Sequence, residues 1–139
     1  MGHNQILWPV FAMVAITFSV LVTMFVQRVS EMKRERIHPQ QIASSAQSAA
    51  RLRNCGAADN FRNLFELPVL FYAALLIVYA TQQTSVTLLA LAWTFVVLRA
   101  LHSWIHCGYN RVMHRFQAYA AGAAVLLAIW IVLAIQLVP

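Results

Sequence analysis

The sequence predicts an all-α integral membrane domain: a four-helix bundle that crosses a bilayer four times. Three observations carry this reading. The chain is 61% hydrophobic and only 10% charged, whereas a soluble domain carries about 25% charged residues. Its apolar residues fall into four runs long enough to cross a hydrocarbon core of ~30 Å. Its ten lysines and arginines gather around alternate connectors. A chain of 139 residues makes one domain, read here as 1–139.

The first span is expected at residues 6–26. That run is too long for the apolar part of a signal peptide and lacks a basic lead and a small-residue cleavage site, so it reads as a helix that stays. Pro9 falls in its first turn, where proline is tolerated. Residues 28–38 read as a charged connector, and His38-Pro39 marks a turn and a new helix start. Residues 40–58, rich in Ala and Ser, read as a helix running into the second span, with an interruption at Gly56. The second span is expected at 61–80, kinked beside Glu66 because Pro68 removes a backbone donor. A short uncharged turn, 81–85, leads to the third span at 86–106. Cys107-Gly108-Tyr109-Asn110 breaks it, and the fourth span reads as 115–138.

Four spans place both termini on one side. The turn at 81–85 and both tails contain no lysine or arginine. The positive-inside rule then predicts cytoplasmic basic loops and external termini; the membrane itself is expected to be a bacterial inner (plasma) membrane. The net charge of +6 requires no nucleic acid, since anionic headgroups or an anionic ligand suffice. Cys55 and Cys107 do not make a disulfide framework and read as free thiols. No metal site is expected: His102 and His106 have i, i+4 spacing, but the glutamate of a zinc-binding HExxH is absent.

Two constellations carry chemistry. In the stretch from Asp59 to Pro68, Asp59, Asn63 and Glu66 would share one face of a continuous helix, and Arg62 can pair with Glu66 one turn on. A membrane carboxylate costs about 2.5–3.5 kcal/mol to insert, so Glu66 should face a partner group or a ligand. Further along, Arg99, His102 and His106 lie on one face of the third span, and Arg111, Arg115 and Tyr119 on one face of the fourth. Polar groups converging at one depth on three helices point to a cavity for a hydrophilic, largely anionic molecule. Each also has a plainer reading. Glu66 with Arg62 and Asn63 would be an interhelical clamp, the histidines packing residues, and Arg111 an interfacial anchor to lipid phosphate.

These residues resemble the MAPEG family, the membrane-associated proteins in eicosanoid and glutathione metabolism. Arg62-Asn63-Leu64-Phe65-Glu66 followed by Pro68 is similar to the family's second-helix RNxxE motif. Arg99-x-x-His102-x-x-x-His106 resembles its RxxHxxxY pattern, and Arg111-x-x-x-Arg115-x-x-x-Tyr119 its RxxxRxxxY pattern. The resemblance implies a homotrimer in the lipid bilayer, with glutathione as co-substrate held between neighbouring subunits. It implies that Arg62, Asn63, Glu66, His102, Arg115 and Tyr119 contact the tripeptide and that Arg115 stabilises its thiolate. His106 stands where the family's eicosanoid enzymes commonly have tyrosine, and Arg28 is the candidate for an arginine at the end of the first span. Asp59 replaces a further arginine, and Phe116 replaces a serine, of the prostaglandin E synthase members. The expected function is a glutathione-dependent transferase or peroxidase acting on lipophilic small molecules, either electrophiles or lipid hydroperoxides. The alternatives are a MAPEG-fold protein without the chemistry, and a small cation-coupled transporter using Glu66.

Overall fold

The computed structural model describes residues 2–53 and 55–137, so the predicted end of the fourth span at Val138 lies outside the described residues. Its helices are α1 (Trp8–Arg34), α2 (Ser45–Arg51), α3 (Gly56–Asn63), α4 (Leu67–Ala80), α5 (Val86–Cys107) and α6 (Val112–Leu137), with 3-10 turns at His3–Leu7 and Pro39–Ile42. Four segments are long and apolar enough to cross a membrane: His3–Arg34, Gly56–Ala80, Val86–Cys107 and Val112–Leu137. The expected all-α bundle is therefore present, and no strand occurs among the described residues.

Two boundaries differ from the sequence reading. Helix α1 continues through Arg34, so residues 28–34 are helix and not connector. No Gly or Pro interrupts this stretch, and Lys33 and Arg34 in its last turn complement the negative end of the helix dipole. The chain then turns at Arg36, in left-handed backbone with φ 53°. Residues 40–58 do not form one helix. Short α2 is opened by a capping box, in which the Ser44 hydroxyl accepts from Gln47 N–H and the Gln47 side chain accepts from Ser44 N–H. The interruption falls just after α2, and Gly56 opens α3 rather than breaking a helix. Buried Glu31 fastens this connector to α1 by accepting from Arg53 N–H at 2.6 Å.

The expected kink at Pro68 is a full break. Proline has no N–H to give the Leu64 carbonyl, so residues 64–66 leave the helix and Pro68 sits in the first turn of α4. Asp59 and Asn63 therefore do not share a helix face with Glu66, as the sequence spacing alone suggested.

The core follows helical periods. Ile6, Met13 and Val20 meet Phe71, Leu75 and Val78 of α4, Leu88, Ala92 and Phe95 of α5, and Leu126, Ile129 and Leu133 of α6. Phe71 and Phe95 stack with ring centroids 4.5 Å apart, and both are fully buried. Phe71→Ala should destabilise the bundle by about 3 kcal/mol, the low end for a buried aromatic, because contraction around the cavity is incomplete. Denaturant or thermal unfolding in detergent reads this directly, and a change under about 0.5 kcal/mol would mean the pair does not hold the bundle.

Two stripes change character along their length. On α5 the buried positions run Leu88, Ala92, Phe95, Arg99, His102 and His106. On α6 the matching side runs from Leu133, Ile129 and Leu126 through Gly122 to Tyr119 and Arg115. Both turn from apolar to polar at the same depth, in the most extensive helix pairing of the fold.

Candidate functional site

Arg99 is the centre of the polar half. It has no exposed surface, and Nε, Nη1 and Nη2 all lack a hydrogen-bond partner among the described residues. Its guanidinium lies over the Tyr119 ring at 4.6 Å and near the Phe95 ring at 5.4 Å. Both contacts have cation–π geometry. Gly122 makes room for it: a Cβ there would stand 3.4 Å from Nη2 and 3.5 Å from Nε. Glu66 and Tyr119 lie within electrostatic range.

Tyr119 carries that neighbourhood to Glu66. Its hydroxyl donates to Glu66 Oε2 at 3.2 Å. The expected Arg62–Glu66 pair does not form. The helix break swings Glu66 away from α3, and Arg62 instead approaches Asp59, with Nη1 3.9 Å from Oδ1. Glu66 is exposed on the single chain rather than turned inward. Asn63 is half-buried at the end of α3.

Arg115 stands at the basic end of the same cluster. Its Nη1 donates to His106 Nε2 at 2.8 Å and to Asn110 Oδ1 at 2.9 Å. Because arginine only donates, His106 Nε2 must accept, which puts the imidazole proton on Nδ1. That nitrogen is buried and unpartnered among the described residues. His102 Nδ1 lies 3.0 Å from the Arg115 carbonyl and must donate to it, leaving Nε2 as a free, buried acceptor. The cluster thus encloses buried donors on Arg99 and His106 and a buried acceptor on His102 that have no partner among the described residues, next to a half-exposed cation on Arg115.

The structure gathers Glu66, His102, His106, Arg115 and Tyr119, and leaves Arg28 and Arg62 in a second place. Arg28 donates to the Ser48 hydroxyl. With Arg62 and Asp59 it lines a neighbouring polar pocket of about 270 Å³ between α1, α2 and α3. Exposed Arg111 lies outside both groups. Asn110, Gly122 and fully buried Asn60 were missed as functional positions. A charge-free turn residue, a glycine in an apolar helix and an amide beside Asp59 gave no signal beyond their proximity to the motifs.

The family model for the MAPEG family matches residues 6–135 of this chain. Comparison with curated proteins and with solved structures gives no match.

Proposed function

The chain belongs to the MAPEG family, and on that premise we propose that it is a membrane-bound glutathione-dependent transferase or peroxidase acting on lipophilic electrophiles or lipid hydroperoxides. The single observation that carries this reading is Arg99, a fully buried guanidinium whose three nitrogens have no partner among the described residues, with the exposed carboxylate of Glu66 within electrostatic range. An unpaired buried cation costs several kcal/mol, and a carboxylate of the tripeptide would offset that cost. Glutathione supplies a thiol of pKa ~8.5, about 3% ionised at pH 7, whose thiolate is the nucleophile.

The chain's own groups divide the remaining work. Arg99 and His106 Nδ1–H would donate to the bound peptide, and His102 Nε2 and Glu66 would accept from its amide or ammonium groups. Arg115, held by His106 and Asn110, would place its cation beside the sulfur and lower the thiol pKa. Tyr119 would hold Glu66 in place.

Glu66, Arg115 and Tyr119 keep exposed surface on the single chain. At membrane depth such groups need a cover, and we take the cover to be a second copy in a homotrimer. Its Arg28–Arg62 pocket would then supply further cations to the peptide. The lipophilic co-substrate would arrive through the bilayer. We also propose that the basic end faces the cytoplasm of a bacterial inner membrane, with both termini outside. Cysteine labelling of tagged termini from outside intact cells should succeed, and protection of both termini would reverse the orientation.

The Asp59–Arg62 approach favours a second reading, a MAPEG fold retained without the chemistry. It occupies with an internal carboxylate a cation that the peptide would use. Calorimetric titration with glutathione separates the two. Saturable heat that Tyr119→Phe weakens supports the enzyme reading. No heat at millimolar glutathione would sink it.

A further inference from the structure

The basic end of α1 carries a notch separate from the site described above. Its volume is about 430 Å³, and its lining includes the apolar Val29, Met32 and Ile37 and the basic Lys33, Arg36 and His38. A Schellman turn builds it. Glu35 N–H donates to the Glu31 carbonyl and Ile37 N–H to the Met32 carbonyl, which folds Ile37 back toward Met32. Arg36, between them, takes left-handed backbone with φ 53°. Glycine is the usual residue there, because a Cβ is strained in that region. The chain instead keeps an exposed guanidinium at this position, and strained backbone of this kind gathers at binding sites.

Among the described residues, no carboxylate lines the notch. Glu31 accepts from Arg53 N–H, and Glu35 pairs with Arg34 at 3.1 Å. Gln40 N–H donates to His38 Nδ1 at 3.3 Å, which leaves the proton of a neutral ring on Nε2 as a further donor. The apolar wall of the notch continues along α1. Phe18, Val22 and Phe25 are exposed and share one helix face with Val29 and Lys33. From Phe18 to Val29 this stripe runs about 16 Å, close to one leaflet of a ~30 Å hydrocarbon core. Cations at the end of an exposed apolar stripe match the layout of a lipid, with its phosphate at one end and its chain along the other. A soluble anion would leave the stripe unused.

We propose that the α1 notch holds one anionic phospholipid of the phosphatidylglycerol class. Its phosphate sits against Lys33, Arg36 and His38 Nε2–H, and one acyl chain lies along Val29, Phe25 and Phe18. Phosphatidylcholine fits less well, since no carboxylate lines the notch to receive the choline cation. The proposal rests neither on glutathione binding nor on which side the basic end faces.

The test uses the full chain in detergent, titrated with dioleoyl phosphatidylglycerol or dioleoyl phosphatidylcholine. Native mass spectrometry reads the lipids retained per chain. The wild type should bind one phosphatidylglycerol per chain about 25-fold more tightly than phosphatidylcholine, at about 5-fold for each of Lys33 and Arg36. Arg36→Gly suits the left-handed turn, so that variant should melt no lower than the wild type, yet lose about 5-fold of the preference. Lys33→Gln, on the exposed helix surface, should lose as much. Arg111→Gln removes an equal charge from an exposed position outside the notch and should change the preference by less than about twofold. A wild-type preference under about 5-fold, as when a second copy covers the notch, would overturn the proposal. So would an unchanged preference in Arg36→Gly and Lys33→Gln, or an equal loss in Arg111→Gln, which bulk charge alone predicts. Displacement of the lipid by millimolar glycerol phosphate would also overturn it, because the ligand would then be a soluble phosphate.

Discussion

Arg115→Leu is expected to abolish the ionised thiol and the conjugating activity of the glutathione complex while leaving much of the binding in place. Arg115 is the half-exposed cation of the cluster, and its Nη1 is fixed by His106 Nε2 and Asn110 Oδ1. A fixed cation beside a thiol lowers its pKa by one to several units, each worth about 1.4 kcal/mol. If the shift is two units, the thiolate fraction at pH 7 falls roughly 25-fold when the cation is removed. The rate should fall at least as far, because leucine also releases His106 and Asn110. Affinity should fall less, since Arg99 and the Arg28–Arg62 pocket remain to hold carboxylates. Ultraviolet thiolate absorbance against pH gives the answer without an electrophile. Exposed Arg111, replaced by leucine, is the control and should titrate like the wild type. If Arg115→Leu keeps the wild-type titration, Arg115 is only an interfacial anchor.

The sign of the pH dependence follows from the same step. A cation that depresses the thiol pKa makes activity rise at lower pH than free glutathione would allow, and its loss moves the rising limb up toward pH ~8.5. Asn110→Ala should give a smaller shift in the same direction, because it frees Arg115 on one side without removing its charge.

What the sequence made legible was periodicity and charge. The third span's buried stripe through Arg99, His102 and His106, and the fourth span's through Arg115 and Tyr119, are simple helical spacings, and those residues do converge. What spacing could not show was where a helix stops. One missing N–H at Pro68 frees residues 64–66, so Glu66 turns toward Tyr119, and the Arg62 pairing read from an i, i+4 interval goes to Asp59 instead. Arg28 was placed with the site by resemblance, yet on the single chain it serves the connector through Ser48. A trimer contact would be invisible to both spacing and a single chain. Gly122 was illegible for a different reason. Its role is the space it leaves above a side chain 23 positions earlier in sequence, which no local pattern encodes.

Arg99→Met should make the free protein more stable and the glutathione-bound protein no more stable than before. The argument rests on an imbalance. Arg99 has no exposed surface and, among the described residues, no hydrogen bond to offset its desolvation. The Tyr119 ring offers about 2 kcal/mol of cation–π attraction at a desolvated site, and Glu66 contributes only at longer range. Methionine keeps the volume and flexibility without the charge. Replacing poorly compensated buried charges by apolar groups of similar size stabilises proteins by about 1–4 kcal/mol, which raises the melting temperature by several degrees in a chain of this size. A ligand carboxylate reverses the balance. At about 100 times its dissociation constant, glutathione should stabilise the wild type by about 2.7 kcal/mol, and most of that gain should vanish in the variant. Melting curves in detergent should therefore change order: variant above wild type without glutathione, and wild type level with or above the variant when it is saturating. Gly122→Val, which drives a branched side chain into the guanidinium, should lower both curves and so distinguish crowding from charge loss. If Arg99→Met melts below the wild type with and without glutathione, Arg99 is a structural tie to Glu66 and Tyr119, and the cluster has lost the observation that makes it a site for an anion.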